Sequence, residues 1–275
     1  MRARIVGVAG LVVLAVALAA AVVVGTAGTE SPALRRALVV FSAVLLAVSV
    51  LARLPQVFGP LDRSWPAAAV RLLGTGLAAA LGFALGLDGN PAERASTGVP
   101  IMTVVCAIYV VALYAATGRG SMLSPRLLLQ AVGLAWTAVT LWAIVVVLAP
   151  PAASPMGDLL IVIASLAAGR LAMGRGPLGG HQVAAGLLTA VMAALLMVPT
   201  ADLMYRFGPD RWAPYAGPGP LTPQAQLEQN RAEAIDPYVG VLVLGAIAAI
   251  VLVMSVLVAR GRARAPLGAT PQEAG

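Results

Sequence analysis

Lysine is missing from this chain: all eighteen basic residues are arginines. A Schiff-base amine and the phosphate-gripping lysine of a P-loop are therefore excluded. The single cysteine, Cys106, and the single histidine, His181, remove further chemistry. They leave no CxxC redox pair, no intramolecular disulfide, no zinc site of Cys and His, and no haem between two histidines. Charge is also scarce, at 11% of residues where soluble domains carry about a quarter. No GxSxG, HExxH or dense Asp/Glu motif is present, and Ser121 has no base near it in its short joint. These absences predict a protein without catalytic, metal or cofactor sites. The abundance of Arg, Ala, Gly, Val and Pro fits the coding bias of a GC-rich bacterium.

Long apolar runs fill the space that charge leaves. The mean hydropathy is +0.93 and 60% of residues are hydrophobic. Eight nearly uncharged stretches follow one another: Ile5 to Gly25, Pro32 to Ala52, Pro66 to Leu87, Thr97 to Thr117, Pro125 to Leu148, Pro155 to Gly174, Gln182 to about Asp202, and Pro237 to Ala259. A hydrocarbon core about 30 Å thick needs ~20 residues of helix, and a helix satisfies its own backbone polar groups there. The expected fold is all-α, a polytopic membrane bundle of about eight helices. One domain would cover residues 1–260, with a disordered cytoplasmic tail over 261–275. Ser31-Pro32, Ser124-Pro125, Ser154-Pro155 and Asp236-Pro237 each offer an N-cap acceptor followed by proline at the first helical position. The first stretch, after Arg2 and Arg4, reads as a retained helix because it exceeds the usual 7–15 residues of a signal h-region; a cleaved signal peptide is the alternative.

Arginine placement sets the orientation. With both termini cytoplasmic, twelve arginines fall inside and six outside (Arg35, Arg36, Arg94, Arg206, Arg211 and Arg231). The predicted location is thus the bacterial cytoplasmic membrane, with both tails on the inner face. Scattered arginines of this kind orient a membrane protein, and no nucleic-acid partner is expected.

A few positions stand out against the apolar background. Gly74, Ala78, Gly82 and Gly86 recur every fourth residue and form a ridge of small side chains on which helices can approach closely. Asp158 and Arg170 share one short segment, only ~18 Å apart along the axis and about 120° apart around it. A charge at bilayer depth costs about 2.5–3.5 kcal/mol, so the pair is either a water-lined path or two terminal residues favoured by the helix dipole. Arg71 is expected to snorkel to the inner headgroups, His181 to face solvent or headgroups, and Cys106 to fill apolar space. Asp202 and Arg206 are spaced as an i,i+4 ion pair.

The long outer segment, residues 203–236, is the strongest candidate for contact with a partner or substrate. Tyr205, Trp212 and Tyr215 are expected at the membrane interface. Thr222-Pro223 should start a short surface helix, in which Glu228 and Arg231 would pair at i,i+3. Arg260, Arg262 and Arg264 should touch anionic headgroups. Two functions fit: a non-catalytic subunit or scaffold of an envelope complex, binding other membrane or extracytoplasmic proteins through that segment, or a permease for an apolar or lipid-like substrate.

Overall fold

In a computed structural model, the residues described are 15, 31–54, 58, 60–86, 94–119, 123–150, 153–173, 180–212 and 222–264. The expected first helix, the outer turn around Asp88, Tyr215 and residues 265–275 of the tail lie outside them, residue 15 apart. Among the described residues the structure is helical throughout, without a strand: α1 (Pro32–Leu51), α2 (Trp65–Gly86), α3 (Val99–Ala116), α4 (Pro125–Leu148), α5 (Ala153–Leu171), α6 (Gly180–Phe207), α7 (Pro223–Glu233) and α8 (Asp236–Arg264). A π-helical turn, Arg94–Gly98, leads into α3, and a 3-10 turn, Asp210–Trp212, follows α6.

Among the described residues, five stretches are long and apolar enough to cross a membrane: Pro32–Leu51, Ser96–Ala116, Pro125–Leu148, Gly180–Phe207 and a window within Gln224–Gly261. The helix surfaces agree. In α1 the buried residues Leu34, Leu38, Phe41, Leu45 and Ser49 follow helical periodicity, while Val39, Val40 and Val50 on the other side stay exposed. In α8, Leu244, Ile247 and Met254 are likewise exposed. Apolar faces this extensive mark contact with lipid, and the chain is a membrane protein by these measures.

α6 is the hub. Every residue from Val191 to Pro199 is buried, and α6 packs against α2, α4, α5 and α8. A helix that is apolar all round has no solvent face to offer and takes the centre. α3 bridges α2 and α8, and α1 lies outside it. α6 also runs past its expected end at Asp202 to Phe207, with Pro199 inside the helix. Pro199 removes one backbone donor, but packing on all sides holds the helix together through that position.

Cap chemistry holds at three starts and fails at two, since Asp236 is the first residue of α8 and not its N-cap. The hydroxyls of Ser31 and Ser124 accept from the backbone N–H of Leu34 and Leu127, each at 3.4 Å. Thr222 accepts from Ala225 N–H at 3.3 Å and starts α7. Ser154 is no cap, because α5 begins one residue earlier, at Ala153. At the opposite end of the chain α8 stays helical through Arg264.

The small-residue ridge of α2 faces its own chain. A Cβ on Gly74 would overlap the Leu113 side chain of α3, and one on Gly82 would overlap the Phe41 ring of α1. Between them Ala78 is fully buried, and its carbonyl accepts from the Cys106 thiol at 3.1 Å. Gly86 closes α2, and its surroundings fall outside the described side chains.

Candidate functional site

Each end of the bundle carries a polar cluster. At one end the joint before α2 is clamped to the C-terminus of α3 by a bridge between Leu61 and Gly118. Asp62 N–H donates to the Thr117 carbonyl at 3.1 Å, and Arg119 N–H donates to the Pro60 carbonyl at 2.8 Å. Arg71, 8% exposed, donates from its guanidinium to the same Thr117 carbonyl at 3.1 Å and to the Asp62 carbonyl at 2.8 Å. This corrects the snorkelling expectation. The last carbonyls of a helix lack intrahelical donors and carry the negative end of its dipole, and Arg71 answers both needs for α3. Arg53 donates to Tyr114 Oη at 3.0 Å and lies 5.7 Å from its ring centroid. The Asp62 carboxylate accepts from Ser64 N–H at 3.0 Å and Ser64 Oγ at 2.7 Å. Partial burial alone would raise the Asp62 pKa. The Ser64 hydrogen bonds, the Arg71 charge and the Arg63 backbone together outweigh it and hold the carboxyl below its ordinary 3.8.

At the opposite end a chain of aromatic groups ties three helices together. Trp142 Nε1 of α4 donates to Tyr238 Oη of α8 at 3.1 Å, and the Tyr238 and Tyr205 hydroxyls share a hydrogen bond of 3.1 Å. The Trp142 and Tyr238 rings meet edge to face, with centroids 5.3 Å apart. Tyr205, expected at the interface, is instead buried in the last turns of α6. The long outer segment begins later than expected because α6 continues through it. Sequence spacing gave no sign of this cluster, since its members come from three separate helices.

Beside it, Asp202 is buried and pairs with Arg206 at 3.2 Å, the i,i+4 geometry expected. Trp212 is half-buried, its ring over Gly208, where a Cβ would collide with it. Arg231 pairs with Asp210 of the 3-10 turn at 2.7 Å and reaches the Gly208 carbonyl at 3.4 Å; the Glu228 side chain expected to pair with it lies outside the described residues. α7 is thereby tied to the end of α6. His181 lies half-buried in the first turn of α6.

Asp158 and Arg170 are both exposed and are not brought together. Arg170 sits in the last turn of α5 as expected and donates to the Met173 sulfur at 2.9 Å. Asp158 does not sit in the first turn, because α5 starts at Ala153. The dipole that was expected to favour it has largely faded there, since the effect is confined to the terminal turn.

Asp158 opens instead onto a lateral groove. α5 and α8 each pack along α6 yet barely touch one another. Close approach of α5 to α6 rests on glycine: a Cβ on Gly186 would lie 2.9 Å from the Ser165 carbonyl, and one on Gly169 would lie 3.3 Å from the Gln182 carbonyl. On the α8 side, a Cβ on Gly245 would overlap Tyr109 Oη and Ala194. The gap between α5 and α8 has a volume of about 320 Å³. Ala190 and Ala194 form its floor, Asp158, Ile161, Val162, Ser165 and Leu166 one wall, and Val241, Leu244 and Gly245 the other. Ser165 Oγ donates to the Ile161 carbonyl at 2.8 Å, so its proton is already engaged. A second depression of about 330 Å³, along α4, is lined by Thr140, Ala143, Ile144, Val147, Leu148 and Met204 and holds no ionisable group.

The chain matches no family profile, no curated protein and no solved structure. Function therefore has to be argued from the chain's own geometry. Among the described residues, no three of His, Cys, Asp and Glu gather where a metal ion could bind. What the arrangement offers chemically is a greasy slot, open sideways to lipid, with one carboxylate at its rim.

Proposed function

We propose that this chain is a non-enzymatic, lipid-handling protein of the bacterial cytoplasmic membrane that crosses the bilayer eight times with both termini inside. A permease-like role on an apolar or lipid-like substrate fits it best. The observation that carries the reading is the α5–α8 groove of about 320 Å³, whose lining is apolar except for Asp158 and Ser165. Sites for small apolar ligands are concave, mostly apolar and equipped with a few polar groups, at volumes of about 300–1,000 Å³. A groove open to lipid needs no water path or ion relay, in keeping with helix centres so poor in charge.

Orientation rests on the arginines. The end bearing Arg53, Arg63, Arg71, Arg119, Arg126, Arg170 and the Arg260–Arg264 cluster holds more of them than the end bearing α7, and the positive-inside rule assigns it to the cytoplasm. Thiols introduced at Ser121 and Ala225, on a Cys106-free background, should label from opposite faces. Labelling of both from one face would sink the threading. For the function, native mass spectrometry of protein released from membranes should reveal a bound amphiphile. A Leu166→Trp change at the groove mouth should deplete it. Equal occupancy in the variant would count against the groove.

A non-catalytic envelope subunit is the second reading, supported by the region around α7. There Trp212 Nε1 and Asn230 Oδ1 are buried without a hydrogen-bond partner among the described residues, and such groups are costly unless something completes them. A polar partner surface would do so. Deleting 211–220 should then release a stoichiometric companion that copurifies with the intact chain; retention of that companion would dismiss this reading.

A further inference from the structure

We infer that the α5–α8 groove selects single-chain amphiphiles with a cationic headgroup, with Asp158 as their counter-ion; the inference rests on the lipid-handling reading above and adds the headgroup. Charge complementarity is the reason. Among the acids whose side chains are described, Asp62 is held by Ser64, Asp202 by Arg206 and Asp210 by Arg231, while Asp236 sits in the first turn of α8. Asp158 has no hydrogen-bond or ion-pair partner among the described residues, and it lies past the first turn of its helix. The cation on the same helix, Arg170, is twelve residues away, ~18 Å along the axis, and turned towards Met173.

Depth sharpens the point. α5 has 19 residues, about the thickness of the hydrocarbon core, and Asp158 lies ~7.5 Å in from its start. On the eight-crossing proposal a carboxylate at that level is short of water and, among the described residues, without an ion-pair partner, so a cation delivered by the ligand improves its position more than a neutral headgroup would. Below Asp158 the wall continues through Ile161, Val162 and Leu166 over the alanine floor. The one polar side chain along that run is Ser165, whose hydroxyl proton is already engaged by the Ile161 carbonyl, so the run suits an apolar tail. An anionic headgroup would meet the carboxylate with repulsion.

The test is photo-crosslinking in phosphatidylcholine nanodiscs. Two diazirine probes of equal chain length are compared, an alkyltrimethylammonium and an alkanol, with labelled peptides mapped by mass spectrometry. In the native protein the ammonium probe should label α5 and α8 along the groove. Asp158→Asn should cut that labelling roughly tenfold, the equivalent of ~1.4 kcal/mol, and leave alkanol labelling unchanged. Leu166→Trp, at a position 70% exposed and so harmless to folding, should reduce both. Undiminished ammonium labelling in Asp158→Asn, or an equal loss for the alkanol, overturns the headgroup assignment and leaves the groove reading standing. Absence of groove labelling by either probe, or labelling indifferent to Leu166→Trp, overturns both. Displacement of the ammonium probe by tail-less tetramethylammonium at equal concentration would also refute it.

Discussion

Replacing Tyr238 by phenylalanine removes one oxygen atom and keeps the ring, which isolates the polar link between α4, α6 and α8. Trp142 is fully buried and Tyr238 is 1% exposed, so no water can take the place of the lost hydroxyl. The indole N–H can only donate, and its acceptor at 3.1 Å would be gone. A buried donor left unpaired costs about 1–3 kcal/mol. Interhelical hydrogen bonds in membrane proteins average nearer ~0.6 and reach ~1.7 kcal/mol, so a loss of about 1–2 kcal/mol is expected. Tyr205→Phe should cost less, about 0.5–1 kcal/mol, because Tyr238 still accepts from Trp142. The double variant is the decisive case. With Tyr238 changed, the Tyr205 hydroxyl is itself buried and has lost the partner it held at 3.1 Å. Removing it as well should add nothing, or recover a few tenths of a kcal/mol. Equilibrium unfolding in mixed detergent–SDS micelles measures all three. If the two single losses add in the double variant, or Tyr205→Phe proves the more damaging, the hydrogen-bond chain is misassigned.

Four further outcomes follow from the packing and the caps. Arg71→Lys should destabilise by about 1.5–3 kcal/mol, since an ammonium cannot span the Thr117 and Asp62 carbonyls as the guanidinium fork does; unfolding in the same micelles checks it, along with faster proteolysis between α1 and α2. Asp62 has a depressed pKa, so its contribution to stability is present above its ordinary 3.8 and is lost as pH falls through the lower folded value. Asp62→Asn should flatten that acid limb of a stability–pH curve and leave stability at neutral pH lower than in the native chain. Gly82→Leu should cost about 1–3 kcal/mol by forcing the Phe41 ring aside, whereas Gly76→Leu, with open space around it, should be close to neutral in the same unfolding assay. Gly118→Val should loosen the Leu61 bridge, because a Cβ there would come within 2.8 Å of both the Phe58 carbonyl and Arg260 Nη2, and backbone hydrogen exchange at Asp62 and Arg119 reads that out directly.

Much of the fold is written locally. The apolar runs that became α1 to α6 and α8 are visible in sequence because a helix facing lipid needs only length and hydrophobicity, and the Ser31, Ser124 and Thr222 caps are visible because their bonds close within three residues. The Asp202–Arg206 pair was legible for the same reason. The sites were less so. Tyr205 looks like an interfacial aromatic until Tyr238, from another helix, gives it a partner. Arg71 looks like a snorkelling residue until the end of α3 arrives beside it.

Sequence by itself determined that the chain is helical, lipid-facing and poor in reactive groups, because those properties depend on composition and on contacts within a turn or two. Tertiary structure alone decided that α6 is the hub, that the small residues of α2 close on α1 and α3, and that α5 and α8 stand apart over α6 with Asp158 at the rim of the gap. Those are relations between residues far apart in the chain. In a background of Ala, Leu, Val and Gly, many helix pairings are nearly equal in apolar match, and only the three-dimensional fit of glycines, rings and buried hydrogen bonds selects one.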